Sequence, residues 1–233
     1  RDCAVALLRP VLTVWGVVVW RALVLTGVAL AVLHAEELLG GVIDRVLSAE
    51  NLLLVALAFP LVKAVHELGH AYATKAWGGE VHEIGVMFLV FIPVPYVDAS
   101  ASAAFPEKWR RAVVGGAGIM VELALAALAM IVWINVEPGL VRAFAFNVML
   151  IGGVSTLFFN GNPLLRFDGY FVLTDLLDFP NLHERAGELR AEIMRDPWEV
   201  SPLAWELPPR VLMPADVARA FVAVAPTQVS EFL

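Results

Sequence analysis

Residues 51–77 read NLLLVALAFPLVKAVHELGHAYATKAW, and this stretch decides what kind of fold the chain adopts. It exceeds the roughly 20 apolar residues with which a helix crosses the core of a bilayer. Its second half nevertheless carries Lys63, His66, Glu67 and His70. An ionisable side chain inside a membrane helix costs on the order of 3 kcal/mol, so such residues are rare there and usually functional. Residues four apart on a helix lie one above the other on the same face. His66 and His70 therefore direct two imidazoles the same way, with Glu67 beside them.

The apolar bias extends well beyond that stretch. The chain of 233 residues is 60% hydrophobic and 17% charged, with a mean hydropathy of +0.76. Ordinary soluble domains are about half apolar and a quarter charged. Here the excess arrives in long runs, at about 10–33, 51–77, 112–134 and 140–159, which predict four membrane spans. The first run contains Arg21 and is too long for a signal-peptide core, so it reads as a span. A chain opening on Arg1 reads as a piece of something longer. The net charge of −7, with no basic stripe, argues against nucleic acid as a partner. A single cysteine, Cys3, excludes an internal disulfide and a cysteine-based zinc cluster.

Between the second and third spans, residues 84–96 are β-branched and aromatic and are broken by Pro93 and Pro95. Prolines at that spacing disfavour a helix, so the stretch is expected to be extended, hairpin or re-entrant. Irregular backbone at membrane depth must be covered by protein or line a cavity. The predicted fold class is thus an all-α polytopic membrane protein with a short β-like segment. Residues 1–180 form its transmembrane core. Residues 181–233 are expected to form a peripheral amphipathic helix, opened by Asn181 and Glu184, and an irregular proline-rich tail. Acidic residues 36, 37, 44 and 50 precede the second span, whereas Lys75, Lys108, Arg110 and Arg111 follow it. The positive-inside rule puts the latter side, and both termini, in the cytoplasm.

His66-Glu67-Leu68-Gly69-His70 is the His-Glu-x-x-His pattern, in which two imidazoles share a metal and the glutamate serves the metal's water. Zinc lowers the pKa of such a water to about 7. A catalytic zinc takes about three protein ligands and keeps one position open. Asp168 is the candidate third ligand. It follows the fourth span, which runs in the same direction as the second, and Gly169 would free the backbone to bend. The competing reading is a turn aspartate beside a glycine.

Together with Asn160-x-x-Pro163-x-x-x-x-Asp168-Gly169, the His66–His70 motif resembles the site-2 protease family of intramembrane zinc metalloproteases. The strings Asn160–Tyr170 and Phe91–Asp98 resemble its bacterial branch of peptide zinc metalloproteases, and the likeness covers roughly residues 50–182. It implies that His66, His70 and Asp168 are zinc ligands, Glu67 the general base, and Asn160 a residue near the substrate backbone or developing oxyanion. It further implies a peptide or membrane-protein substrate cut within or next to a bacterial cytoplasmic membrane, with the site toward the cytoplasm. The third span departs from the family pattern in carrying Gly115-Gly-Ala-Gly118 and Glu122.

Other conspicuous residues have plainer readings. His34, His82 and Arg166 read as interfacial, Lys63, one turn before His66, as a snorkelling lysine with tuning of the site as the alternative, and Trp15, Trp20, Trp77 and Trp133 as anchors at span ends. Two other functions compete with proteolysis: a membrane metal-binding or transport protein, and a degenerate relative that only binds peptides. A transporter would need a polar path through both leaflets and has no need of a glutamate between its histidines.

Overall fold

The structure, a computed structural model, describes residues 13–40, 42, 46, 48–89 and 92–178. Helix α1 runs Val14–Leu33, α2 Ala35–Leu39 and α3 Ala49–Ala76. Strands β1 (Ile84–Leu89) and β2 (Ile92–Val97) follow, then a 3₁₀ turn at Ser100–Ala104. Helix α4 is Lys108–Asn135. Helix α5, Leu140–Met149, continues as a π-helix over Leu150–Asn160, and α6 is Asp168–Leu177. The chain divides into two compact units, Arg1–Val172 and Leu173–Leu233. Of the second, the described part is the end of α6 and Asp178. The expected amphipathic helix and tail beyond residue 180 lie outside the described residues.

Among the described residues, four helices are long and apolar enough to cross a membrane: Val14–Leu33, Ala49–Ala76, Lys108–Asn135 and Leu140–Asn160. They match the four apolar runs in the sequence, and the chain is an integral membrane protein. Their ends follow local chemistry. Thr13 Oγ1 accepts from Gly16 N at 3.2 Å to open α1, and Ser48 Oγ from Asn51 N at 3.3 Å to open α3. Helix α3 stops at Gly78, whose φ of 86° only glycine adopts without strain. Pro138 and Gly139 separate α4 from α5.

Helix α4 is the hub, packing against α1, α3, α5 and the π-helix. Small residues bring the helices close, as expected where lipid gives no hydrophobic drive for association. A Cβ on Gly27 would lie 2.7 Å from Ala127, and one on Gly69 3.0 Å from the Ala117 carbonyl. Met130, Trp133 and Phe146 form one core cluster; Ala58, Val62 and Ile151 a second; Ala73, Val114 and Ala117 a third. Two tryptophans therefore depart from the interfacial reading. Trp133 is 3% exposed, and Trp20 donates from Nε1 to the Met120 carbonyl at 2.8 Å. They pack helix on helix instead of marking the membrane surface. Trp77 caps α3 and meets Trp109 edge to face.

The segment after α3 is an antiparallel hairpin, with Ile84 opposite Val97 and Leu89 opposite Ile92. Strand β2 packs on α3. At the hairpin's end Asp98 Oδ1 accepts from Ser100 N at 2.9 Å. Hydrogen bonding from the Ser100 hydroxyl, and then from its N–H, holds the Asp98 carboxyl below the usual range.

Candidate metal centre

His66 and His70 occupy the inner face of α3 against α4. The ring of His66 fits because residue 118 is glycine: a Cβ there would lie 2.3 Å from His66 Cε1. His70 Nδ1 lies 2.7 Å from the Val114 carbonyl. A carbonyl can only accept, so Nδ1 carries the hydrogen and Nε2 presents a lone pair. That lone pair faces His66 Nε2 at 3.0 Å.

Asp168 completes the group. Its Oδ2 lies 3.0 Å from His66 Nε2 and 3.4 Å from His70 Nε2. It sits in the first turn of α6, where the helix dipole favours a carboxylate. Gly169 serves Asp168 differently from the sequence expectation. Its φ is not positive, so bending freedom is not what it supplies. A Cβ there would lie 2.6 Å from the Gly161 carbonyl oxygen, so glycine lets the start of α6 fold back onto the end of the π-helix.

Among the described residues, His66, His70 and Asp168 form a group able to hold a metal ion. Two observations favour a cation at their focus. Asp168 Oδ2 is buried with no well-directed hydrogen bond despite its close neighbours. The three donor–donor separations of 3.0, 3.0 and 3.4 Å also approach the edge of about 3.3 Å of a tetrahedron with ligands about 2.0–2.1 Å from zinc. Two histidines and a carboxylate fit Zn2+, and the same donors serve Fe2+.

Glu67 is half-buried, and its Oε2 accepts from Val97 N at 3.0 Å. The hairpin thus reaches the motif glutamate directly. Asn160 donates from Nδ2 to Glu122 Oε2 at 3.2 Å, and Asn162 Oδ1 caps the following turn through Leu164 N.

Lys63 and Glu122 were not assigned to the site by sequence reasoning. Lys63 does not snorkel; its Nζ lies 2.6 Å from Glu122 Oε1 across the α3–α4 contact. The signal was present in the sequence. Two oppositely charged residues in different apolar spans each need a partner, and each is the other's. His34 bonds the Leu30 carbonyl and stacks edge-on with Trp133, while His82 is exposed beside Glu80. Neither joins the centre, and Arg166 is exposed.

Compared with protein families, characterised proteins and solved structures, the chain gives no match.

Proposed function

We propose that this chain is an intramembrane zinc metalloprotease of the site-2 protease type, hydrolysing peptide bonds within or next to the membrane. The observation that carries the reading is the convergence of His66, His70 and Asp168 on one point, with Glu67 on the same helix. His66, His70 and Asp168 would hold the ion. Zinc, when bound there, polarises a carbonyl and makes water more acidic. Glu67 takes the proton from the attacking water and returns it to the leaving amine. Asn160 steadies negative charge developing on the substrate carbonyl; to do so its amide leaves or shares Glu122. The charge bias of the flanking stretches supports a cytoplasm-facing site, in keeping with a bacterial cytoplasmic membrane.

A substrate segment enters in extended form and adds a strand to the hairpin. The register decides which edge it joins. On β2, residues 93, 95 and 97 turn their backbone groups away from β1. Pro93 and Pro95 have no N–H, and that of Val97 goes to Glu67. On β1, Ile84, Val86 and Phe88 offer both N–H and C=O on the free edge, so strand addition is directed there.

The test is metal content and proteolysis of purified protein. Wild type should carry about one zinc per chain, and His66→Ala and Asp168→Ala should lose it. Glu67→Gln should keep the zinc and lose roughly 10²–10⁴-fold in cleavage of a membrane-anchored reporter peptide. Folded wild type without zinc would overturn the reading. Zinc bound, with cleavage indifferent to Glu67, would favour a metal-binding or transport role.

A further inference from the structure

Glu122 stands in the middle of α4 with its side chain fully buried. Four side chains from two other helices converge on it. From α3, Lys63 Nζ lies 2.6 Å and His66 Nδ1 3.1 Å from Oε1. From the π-helix, the Thr156 hydroxyl donates to Oε2 and Asn160 Nδ2 donates to the same atom at 3.2 Å. The wider i→i+5 turn of the π-helix keeps residues 156 and 160 on one face. The same widening brings the carbonyl of Ile151, five residues back, to 2.9 Å from Thr156 Oγ1, so that the one hydroxyl hydrogen is shared between it and Glu122.

We infer that Glu122 is a positioning residue for the metal centre. It holds His66 with hydrogen on Nδ1, so that the Nε2 lone pair faces Asp168 and His70, and it anchors Asn160 to the same carboxylate. The inference rests on the metal-centre reading above. His66 Nδ1 is buried, and Glu122 is the acceptor it faces. The approach is not in line for a directed hydrogen bond, so the attraction is chiefly that of an N–H dipole for a nearby carboxylate charge. Gly118 sets the ring's position from the other side, because only a missing Cβ leaves room for it. His70 receives the equivalent service from the Val114 carbonyl. Both imidazoles thus have their outer nitrogen tied to α4, and partners of this kind typically change metal affinity 10–100-fold when removed.

A plain structural role, an ion pair joining α3 to α4, predicts something different. Replacing a buried ion pair by apolar residues of similar size is often neutral for folding. The test therefore compares two double variants, with zinc affinity read by competition with a chromophoric chelator. Lys63→Met/Glu122→Leu should bind zinc roughly 10–100-fold more weakly than wild type. Lys63→Met/Glu122→Gln should recover part of the loss, because the amide oxygen keeps an acceptor dipole facing His66 Nδ1 while lacking the carboxylate charge. Wild-type affinity in the leucine variant would overturn the inference while leaving the metal centre standing, provided Asp168→Ala still loses zinc. Wild type that binds no zinc would sink both together. Should the leucine variant fail to fold, nitrogen NMR of histidine-labelled, zinc-loaded wild type decides: hydrogen on Nδ1 of His66 with the metal on Nε2 supports the inference, and the metal on Nδ1 overturns it.

Discussion

Two buried polar clusters share α3, one near its start and one in its second half. In the first, Asn51 and Asn147 exchange amide hydrogen bonds. Asn147 Nδ2 donates to Asn51 Oδ1 at 2.8 Å, and Asn51 Nδ2 donates back at 3.2 Å. The pair closes on itself and carries no charge. In the second, His66, His70 and Asp168 bring two nitrogens and an oxygen together with no proton assigned between them, and Asp168 Oδ2 is left without a directed partner. A cluster that only holds helices together satisfies its own groups. One that awaits a ligand leaves lone pairs aimed at a common point.

Removing the metal should therefore affect the second cluster most. An ion that binds only the folded chain stabilises it by about 4 kcal/mol at a free concentration a thousand times its dissociation constant. A strong chelator should lower the thermal unfolding temperature of wild type in detergent and leave Asp168→Ala unmoved. A chelator shift of equal size in Asp168→Ala would show that the stabilising ion lies elsewhere.

The Asn51–Asn147 cluster should respond to mutation and not to metal. Interhelical hydrogen bonds in membrane proteins average about 0.6 kcal/mol and reach about 1.7. Asn147→Ala also leaves the Asn51 amide unpaired, so it should cost roughly 1–2 kcal/mol of stability and leave zinc affinity within about twofold of wild type. Asn51→Leu/Asn147→Leu removes both partners and should cost less than the single change, because no buried amide is left unpaired. If Asn147→Ala weakens zinc binding as much as the Glu122 variants do, the separation between the clusters fails.

The sequence made the second cluster partly readable and the first hardly at all. The spans were legible because each is an apolar run of bilayer length. The histidines were legible because a spacing of four fixes a shared helical face, and the hairpin because Pro93 and Pro95 forbid a helix. Asp168 could be proposed from its place after the fourth span. The part played by Gly169, close approach to Gly161, depends on a backbone contact that no local pattern encodes. Glu122 stands 56 residues from His66, and its four donors meet only when three helices pack. Asn51 and Asn147 are 96 residues apart, the one near a span end and the other a lone uncharged amide inside a span. Trp20 and Trp133 misled for a related reason: tryptophan is enriched at membrane interfaces, and only packing shows which ones are buried against other helices.

The smallest effect is expected at a polar contact that belongs to neither cluster. Arg142 Nη2 lies 2.6 Å from Glu37 Oε1, and Glu37 is about half exposed. An exposed pair of this kind contributes about 0–1 kcal/mol. The arginine also stacks on Trp133, with Cζ 4.1 Å from the ring centroid, a contact worth about 0.5–1 kcal/mol at a partly exposed site. Glu37→Gln removes the charge pair and keeps the stack, so its unfolding temperature should stay near that of wild type. Arg142→Ala loses both and uncovers Trp133, one of the largest side chains of the core around Met130 and Phe146. Its destabilisation should be the larger of the two and largely retained at high salt, because salt screens the charge pair and not the lost packing. Equal losses in the two variants, both shrinking as salt rises, would instead make the ion pair the principal tie between α2 and α5.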